Sequence, residues 1–314
     1  MPKALTDKSN VSHFGDRAFK GLTLLMAISV FVLIALIGYE LAHGAAPAMH
    51  LFGWHFLISS DWDPVNNQFG ALPFIFGTLV SSAIGLLIAV PLSIATAVYL
   101  TELAPLWIRQ PLTIFIELLA AVPSVILGLW GIFVMVPWLS GNLFPWLQRC
   151  LGFLPLFQGP IFGPSVFAGG IIIAIMILPI ITSVSREILR SVPGLQREAA
   201  YALGATRWEV TRIAVLSYAK KGLFGAVILG LGRALGETMA VTMVIGNSPQ
   251  IAKSLFAPGY TLASVVANEF SEATTDTYSS ALFEIGLVLL GVTVLVNGLA
   301  QLLLKTFAGP GVKQ

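Results

Sequence analysis

Long apolar runs alternate with polar connections along this chain, and six of the runs are long enough to cross a bilayer. A helix spanning a hydrocarbon core roughly 30 Å thick needs about 20 mostly apolar residues. Residues 21–42, 72–100, 111–139, 165–184, 222–245 and 281–304 qualify. In lipid the backbone must bond to itself, so the pattern predicts an all-α, polytopic membrane protein with six transmembrane helices. Small residues follow the first run at Ala42, Gly44, Ala45 and Ala46, as they do after a cleavable signal. The run exceeds the roughly 7–15 apolar residues of such signals, so a retained anchor is expected.

Composition narrows the class in the same direction, with 56% hydrophobic residues, 10% charged residues and a mean hydropathy of +0.88. The net charge of +2 says little, whereas its distribution says much. Lys3, Lys8, Arg17, Lys20, Arg109, Lys305, Lys313 and seven cations within 185–221 fall on one side of the predicted membrane, and Arg149 and Lys253 on the other. The positive-inside rule then places both termini in the cytoplasm. Trp54, Trp62, Trp138 and Trp146 fall near the outer boundary and Trp107 near the inner one, where aromatic belts lie. Cys150 is the only cysteine, which excludes an internal disulfide and a cysteine-rich metal site. No metal site is predicted.

The polar segment 185–221 reads SREILRSVPGLQREAAYALGATRWEVTRIAVLSYAKK and carries seven of the 17 Lys and Arg. Pro193 suits a first helical turn, which predicts a short helix running through Ala202. Gly204 suits the left-handed position that ends helices. Thr206 and Glu209 match a capping box that starts a second helix. Ala199, Ala200 and Ala202 keep the first helix slim, so another protein can approach it closely; a solvated connector is the plainer alternative. A DNA-binding helix-turn-helix is disfavoured, because flanking spans hold the segment at the bilayer and its face mixes acids with bases. No nucleic-acid partner is expected.

Arg233 lies near the middle of the predicted fifth span, roughly 17 Å from either end. Burying it costs about 2.5–3.5 kcal/mol on insertion scales, so a partner is required. Glu237, one turn on, is the nearest acid. Either the two neutralise each other and fix helix packing, or Arg233 lines the path of an oxyanion while Glu237 holds its planar fork. Thr238, Ser124 and Thr182 add neutral hydrogen bonds on the second reading and are helix contacts on the first. Glu117, near the start of the third span, snorkels to the interface, pairs with Arg109 or belongs to the pathway. Pro123 and Pro179 are expected to kink their helices. Glu284 and Asn297 read as polar glue in the last span. Of the outer loops, 140–164 is expected to dip into the interface and 247–280 to be polar; either could dock an extracytoplasmic partner, and an ordinary loop is the simpler reading. No phosphate-binding G-x-x-x-x-G-K-[ST], no H-E-x-x-H and no nucleophile elbow occurs, so the chain is not expected to be an enzyme by itself or to bind ATP.

Glu198-Ala199-Ala200 with Gly204 and Ile213 resembles the EAA loop of ABC importer permeases, although Val215-Leu216-Ser217 stands where that family often has Leu-Pro. The run from Glu117 to Val125, the run from Leu178 to Glu187, and Gly232-Arg233-Ala234-Leu235-Gly236-Glu237-Thr238 are similar to permeases of the PstC type. The resemblance covers about 72–304. It implies a type I importer permease core at 72–304 containing a cytoplasmic coupling loop at 185–221. An N-terminal tail, first helix and outer loop (1–71) would precede the core, and a cytoplasmic tail (305–314) would follow. It also implies inorganic phosphate as cargo, a PstA-type permease partner, two PstB-type subunits carrying Mg-ATP, a periplasmic PstS-type binding protein, and a bacterial inner membrane. Glu198, Ala199, Ala200 and Gly204 would then couple to the ATPase. Another oxyanion or small solute is the alternative within this class. An ion-coupled secondary transporter is the alternative outside it, and calls for an inverted repeat and more intramembrane acids.

Overall fold

A computed structural model describes residues 13–307, leaving the tails with Lys3, Lys8 and Lys313 outside the described residues. The chain runs through α1 (His13–Phe52), α2 (Leu72–Leu103), α3 (Leu106–Ala121), α4 (Ser124–Leu151), α5 (Val166–Arg190), α6 (Gly194–Ala202), α7 (Arg207–Leu235), α8 (Met239–Ile245), α9 (Leu262–Glu269) and α10 (Asp276–Phe307). Among the described residues there is no strand, and six helices, α1, α2, α4, α5, α7 and α10, are long and apolar enough to cross a membrane.

The centre of the bundle is the α2–α5 pair, with α5 the most buried span. Two glycines let their backbones close. A Cβ at Gly85 would fall 2.6 Å from Ile173 Cγ2, and one at Gly170 2.5 Å from Ile84 Cγ2, so each isoleucine fills the space opposite a glycine. Ser93 Oγ also donates to the Leu178 carbonyl across this seam at 3.0 Å.

At the other flank, α1 joins α10 through a hydroxyl built into a helix. Ser280 Oγ accepts from the Ala48 amide at 3.0 Å and donates to the Gly44 carbonyl at 2.8 Å, the two ends of one i→i−4 link beside Pro47. A cluster of Trp62, Phe69, Phe74, Tyr260 and Tyr278 closes the outer end of this flank. Glu269 Oε2 ties it together, accepting from Trp62 Nε1 at 2.8 Å and Tyr278 Oη at 2.6 Å. Burial pushes the Tyr260 phenol well above its ordinary range.

Three expectations are corrected. The predicted third span, 111–139, is broken: Val122 and Pro123 take ψ of 127° and 138°, separating an α3 with no buried residue from the membrane-length α4. A proline disfavours the α conformation in the residue before it, so the pair stops one helix, and Ser124 starts the next. At Pro179, by contrast, α5 continues unbroken. The predicted fifth span, 222–245, is also broken, at 236–238 between α7 and α8. The polar loop 247–280, read as ordinary loop, folds back into the bundle, with Tyr260, Thr261, Leu262 and Val265 buried. There Leu262 donates its amide to Thr78 Oγ1 at 2.9 Å, and Gly77 leaves room for the Tyr260 carbonyl.

Candidate functional site

The hairpin between α5 and α7 forms as its residues direct. Pro193 caps α6, Gly204 takes φ +82°, and the amides of Gly204 and Ala205 bond back to the carbonyls of Tyr201 and Ala200 at 2.9 and 3.2 Å. Thr206 Oγ1 accepts from the Glu209 amide at 3.4 Å while Glu209 Oε2 accepts from the Thr206 amide at 2.8 Å, completing the box. No residue of α6 is buried: Glu198, Ala199 and Gly204 are exposed and Ala200 is half-buried. Leu195, Tyr201, Leu203 and Trp208 stand exposed around them, Leu203 at 90%. An apolar rim around small residues is a surface shaped for a protein partner.

Arg197, beside Glu198, turns the other way. Its guanidinium donates to Glu102 Oε1 at 2.9 Å, to the Val192 carbonyl at 2.6 Å and to the Leu189 carbonyl at 2.9 Å. Glu102 lies in the last, π-helical turn of α2, so this charge pair fixes α6 to the central helix of the bundle. The sequence offered no sign of it, because the partner lies 95 residues away.

The second group of residues gathers at the break in the fifth span. Arg233 lies in the last turn of α7 and Glu237 just before α8, where the helix termini favour a cation and an anion respectively. Arg233 Nη2 reaches Glu237 Oε2 at 3.4 Å, and their side chains are 50% and 5% exposed. The arginine is therefore not in mid-helix, as the unbroken span implied. It borders a cavity of about 430 Å³ with Ile180, Ile228, Leu229, Gly232 and Asn297. Glu237 Oε1 also accepts from the Ala240 amide at 3.5 Å.

Of the other predicted residues, Thr238 is half-buried at the break and its hydroxyl donates to the Gly236 carbonyl at 3.3 Å. Ser124 opens α4, which packs on α8: a Cβ at Gly128, one turn on, would come 3.1 Å from Ala240 Cα. Two interrupted spans thus restart side by side. Thr182 is not among these groups, being 1% exposed with its hydroxyl donated to the Leu178 carbonyl at 2.7 Å. Glu117 pairs with Arg186 at 3.3 Å, not with Arg109, whose guanidinium donates to the Thr101 and Ala104 carbonyls. Arg186 is the more buried partner and also donates to Thr113 Oγ1 at 2.7 Å, so the contact docks α3 on α5.

A many-span helical bundle with an exposed alanine-rich hairpin and a broken helix carrying a charge pair is the build of a transport permease. Residues 89–308 match the family described as binding-protein-dependent transport system inner membrane component. The chain is 48% identical over 293 residues to the phosphate transport system permease protein PstC of Haemophilus influenzae, covering 92% of this chain and 93% of that one. The PstC of Mesorhizobium japonicum is 45% identical over 92% of this chain and 90% of its own, and a probable PstC of Methanocaldococcus jannaschii is 36% identical over 89% and 90%. Among solved structures, the bacterial alginate ABC transporter superposes with a TM-score of 0.63 at 17% identity, over 95% of this chain and 99% of that one. The MetNI methionine ABC transporter does so with a TM-score of 0.52 at 17% identity, over 76% and 94%; both likenesses concern the fold. The chain belongs to the family of binding-protein-dependent transport system inner membrane components, as a PstC-type member. It is a multi-pass membrane protein and a transport component, not an enzyme.

Proposed function

We propose that this chain is the PstC-type half of the membrane channel of an ATP-driven importer of inorganic phosphate, set in a bacterial inner membrane with both termini cytoplasmic. The observation that carries this reading is the Arg233–Glu237 pair, with its guanidinium half exposed on a cavity at a break in the fifth span. An arginine fork matches two phosphate oxygens and offers a full positive charge on the cavity wall. Glu237 holds the fork and competes with the anion for it, so the bound state is transient, as a conduit requires. Thr238 at this break and Ser124 at the neighbouring break of the third span supply neutral hydrogen-bonding groups, while Thr182 and Glu117 serve the packing of α5 and α3.

The drive comes from outside the chain. The exposed face of α6, with Glu198, Ala199, Ala200 and Gly204, is read as the seat of a PstB-type ATPase, one of two, each holding Mg-ATP. A PstA-type permease completes the channel, and a periplasmic PstS-type protein delivers the anion. ATP-driven closure of the ATPases moves α6, and Arg197 carries that movement through Glu102 into α2.

The test is transport by the reconstituted complex in vesicles. Uptake of labelled phosphate is expected to need both ATP and the binding protein, and excess sulfate is expected not to compete. Uptake driven by a proton gradient without ATP overturns the mechanism, and equal competition by sulfate overturns the cargo.

A further inference from the structure

A second and larger cavity, about 650 Å³, opens between the end of α1, the start of α2 and α10. Its wall is apolar apart from one acid. Glu284 is 6% exposed, its Oε2 is buried, and no donor reaches that oxygen among the described residues. No other ionisable residue lines the cavity. A carboxylate enclosed in this way calls for a donor from outside the chain.

The shape of the cavity identifies that donor. Glu284 sits three residues into the apolar run 281–304, so it is close to the membrane boundary, and Trp54, 86% exposed, stands on the same wall. From Glu284 the cavity follows one face of α10 through Val288, Gly291, Val292 and Leu295 to Val296. The 12 residue steps from Glu284 to Val296 rise about 18 Å, close to the roughly 15 Å of one bilayer leaflet. A Cβ added at Gly291 would meet nothing within 4 Å, so the groove is open at its middle. Over that rise the cavity of about 650 Å³ is a long groove with an apolar wall, its one acid at the boundary end. An acyl chain fits.

We infer that this groove holds one phospholipid with a primary-amine headgroup, its ammonium donating to Glu284 and its acyl chain lying along α10. The polar end is at the boundary and the apolar end points to the bilayer centre, as a lipid on the Trp54 side must stand. A quaternary headgroup has no N–H to give the carboxylate, and an anionic headgroup is repelled by it.

The purified complex, equilibrated with equal amounts of phosphatidylethanolamine and phosphatidylglycerol, tests this by native mass spectrometry. The wild-type complex is expected to retain one phosphatidylethanolamine in about tenfold preference, the size of one charge-assisted bond. Glu284→Gln, nearly isosteric, should lose the preference while the complex stays assembled. Gly291→Trp should fill the groove and expel lipid of either kind; if that variant does not assemble, Glu284→Gln decides alone. Equal retention of the two lipids by wild type, or an unchanged preference in Glu284→Gln, overturns the inference. So does efficient disulfide cross-linking of Val292→Cys to a cysteine in a partner permease helix.

Discussion

At Gly204 the backbone stands at φ +82°, and an added Cβ would meet no atom within 4 Å. The glycine is thus required for its conformation alone. Gly204→Val forces a β-branched residue into the left-handed region at about 1–2 kcal/mol, which weakens ATPase docking roughly 5- to 30-fold if the turn must keep its shape. Gly204→Asn, which tolerates that region, should bind nearly as wild type; co-purification of the ATPase checks both. At Arg233 the chemistry is what matters. Arg233→Gln should lower phosphate uptake by about 10- to 100-fold, the size of a charge-assisted contact, and Arg233→Lys should recover only part of it because a point charge lacks the fork. Uptake at unchanged rate in Arg233→Gln, with the complex intact, would retire the pathway role. Gly204, Thr206 and Glu209 were legible because their partners lie within a few residues in the chain. Glu117 was not, since Arg186 is 69 residues away and Arg109 is the nearer cation in sequence.

Arg197 and Glu102 act at the scale of elements, because four acceptor atoms on α2, on the last turn of α5 and on the turn after it converge on one guanidinium. Their side chains are only 23% and 13% exposed, and breaking such a pair costs about 3 kcal/mol. Glu102→Gln should therefore leave the ATPase attached but abolish the stimulation of ATP hydrolysis by the binding protein. Stimulation at the wild-type level would show that α2 is not driven through this contact. Exchanging the two charges should not restore it, since a glutamate at 197 cannot donate to the Leu189 and Val192 carbonyls. The spans themselves were legible from hydropathy, yet both of their breaks were not. Averaging over about 20 residues erases a two- or three-residue interruption, and Pro179, inside an intact α5, shows that proline alone does not mark one. The return of 260–265 into the core was hidden for a related reason: the surrounding polar residues outnumber the buried Tyr260, Leu262 and Val265.

The whole molecule has a handedness in the membrane that its own cysteine can report. Cys150, exposed at the end of α4, should react with an impermeant maleimide in intact spheroplasts, whereas Ala205→Cys in a Cys150→Ser background should react only after permeabilisation. The opposite pattern would invert the assigned orientation. Between the hairpin proposed to take the drive and the pair proposed to meet the anion lies a seven-residue π-helical stretch, Val210–Leu216. A π turn holds more chain than an α turn needs. Loss of a single codon there would let the helix close as ordinary α with its downstream face kept, whereas loss of one codon from the regular α turns between Ser217 and Arg233 would turn everything beyond it by about 100° about its axis. In either case Thr206 would still be capped and the spans would still insert, but only the second lesion would make Arg233 face another way. In the gene, the smallest in-frame lesion is thus absorbed at the π stretch, and a turn or two beyond it separates a protein that folds from one that transports.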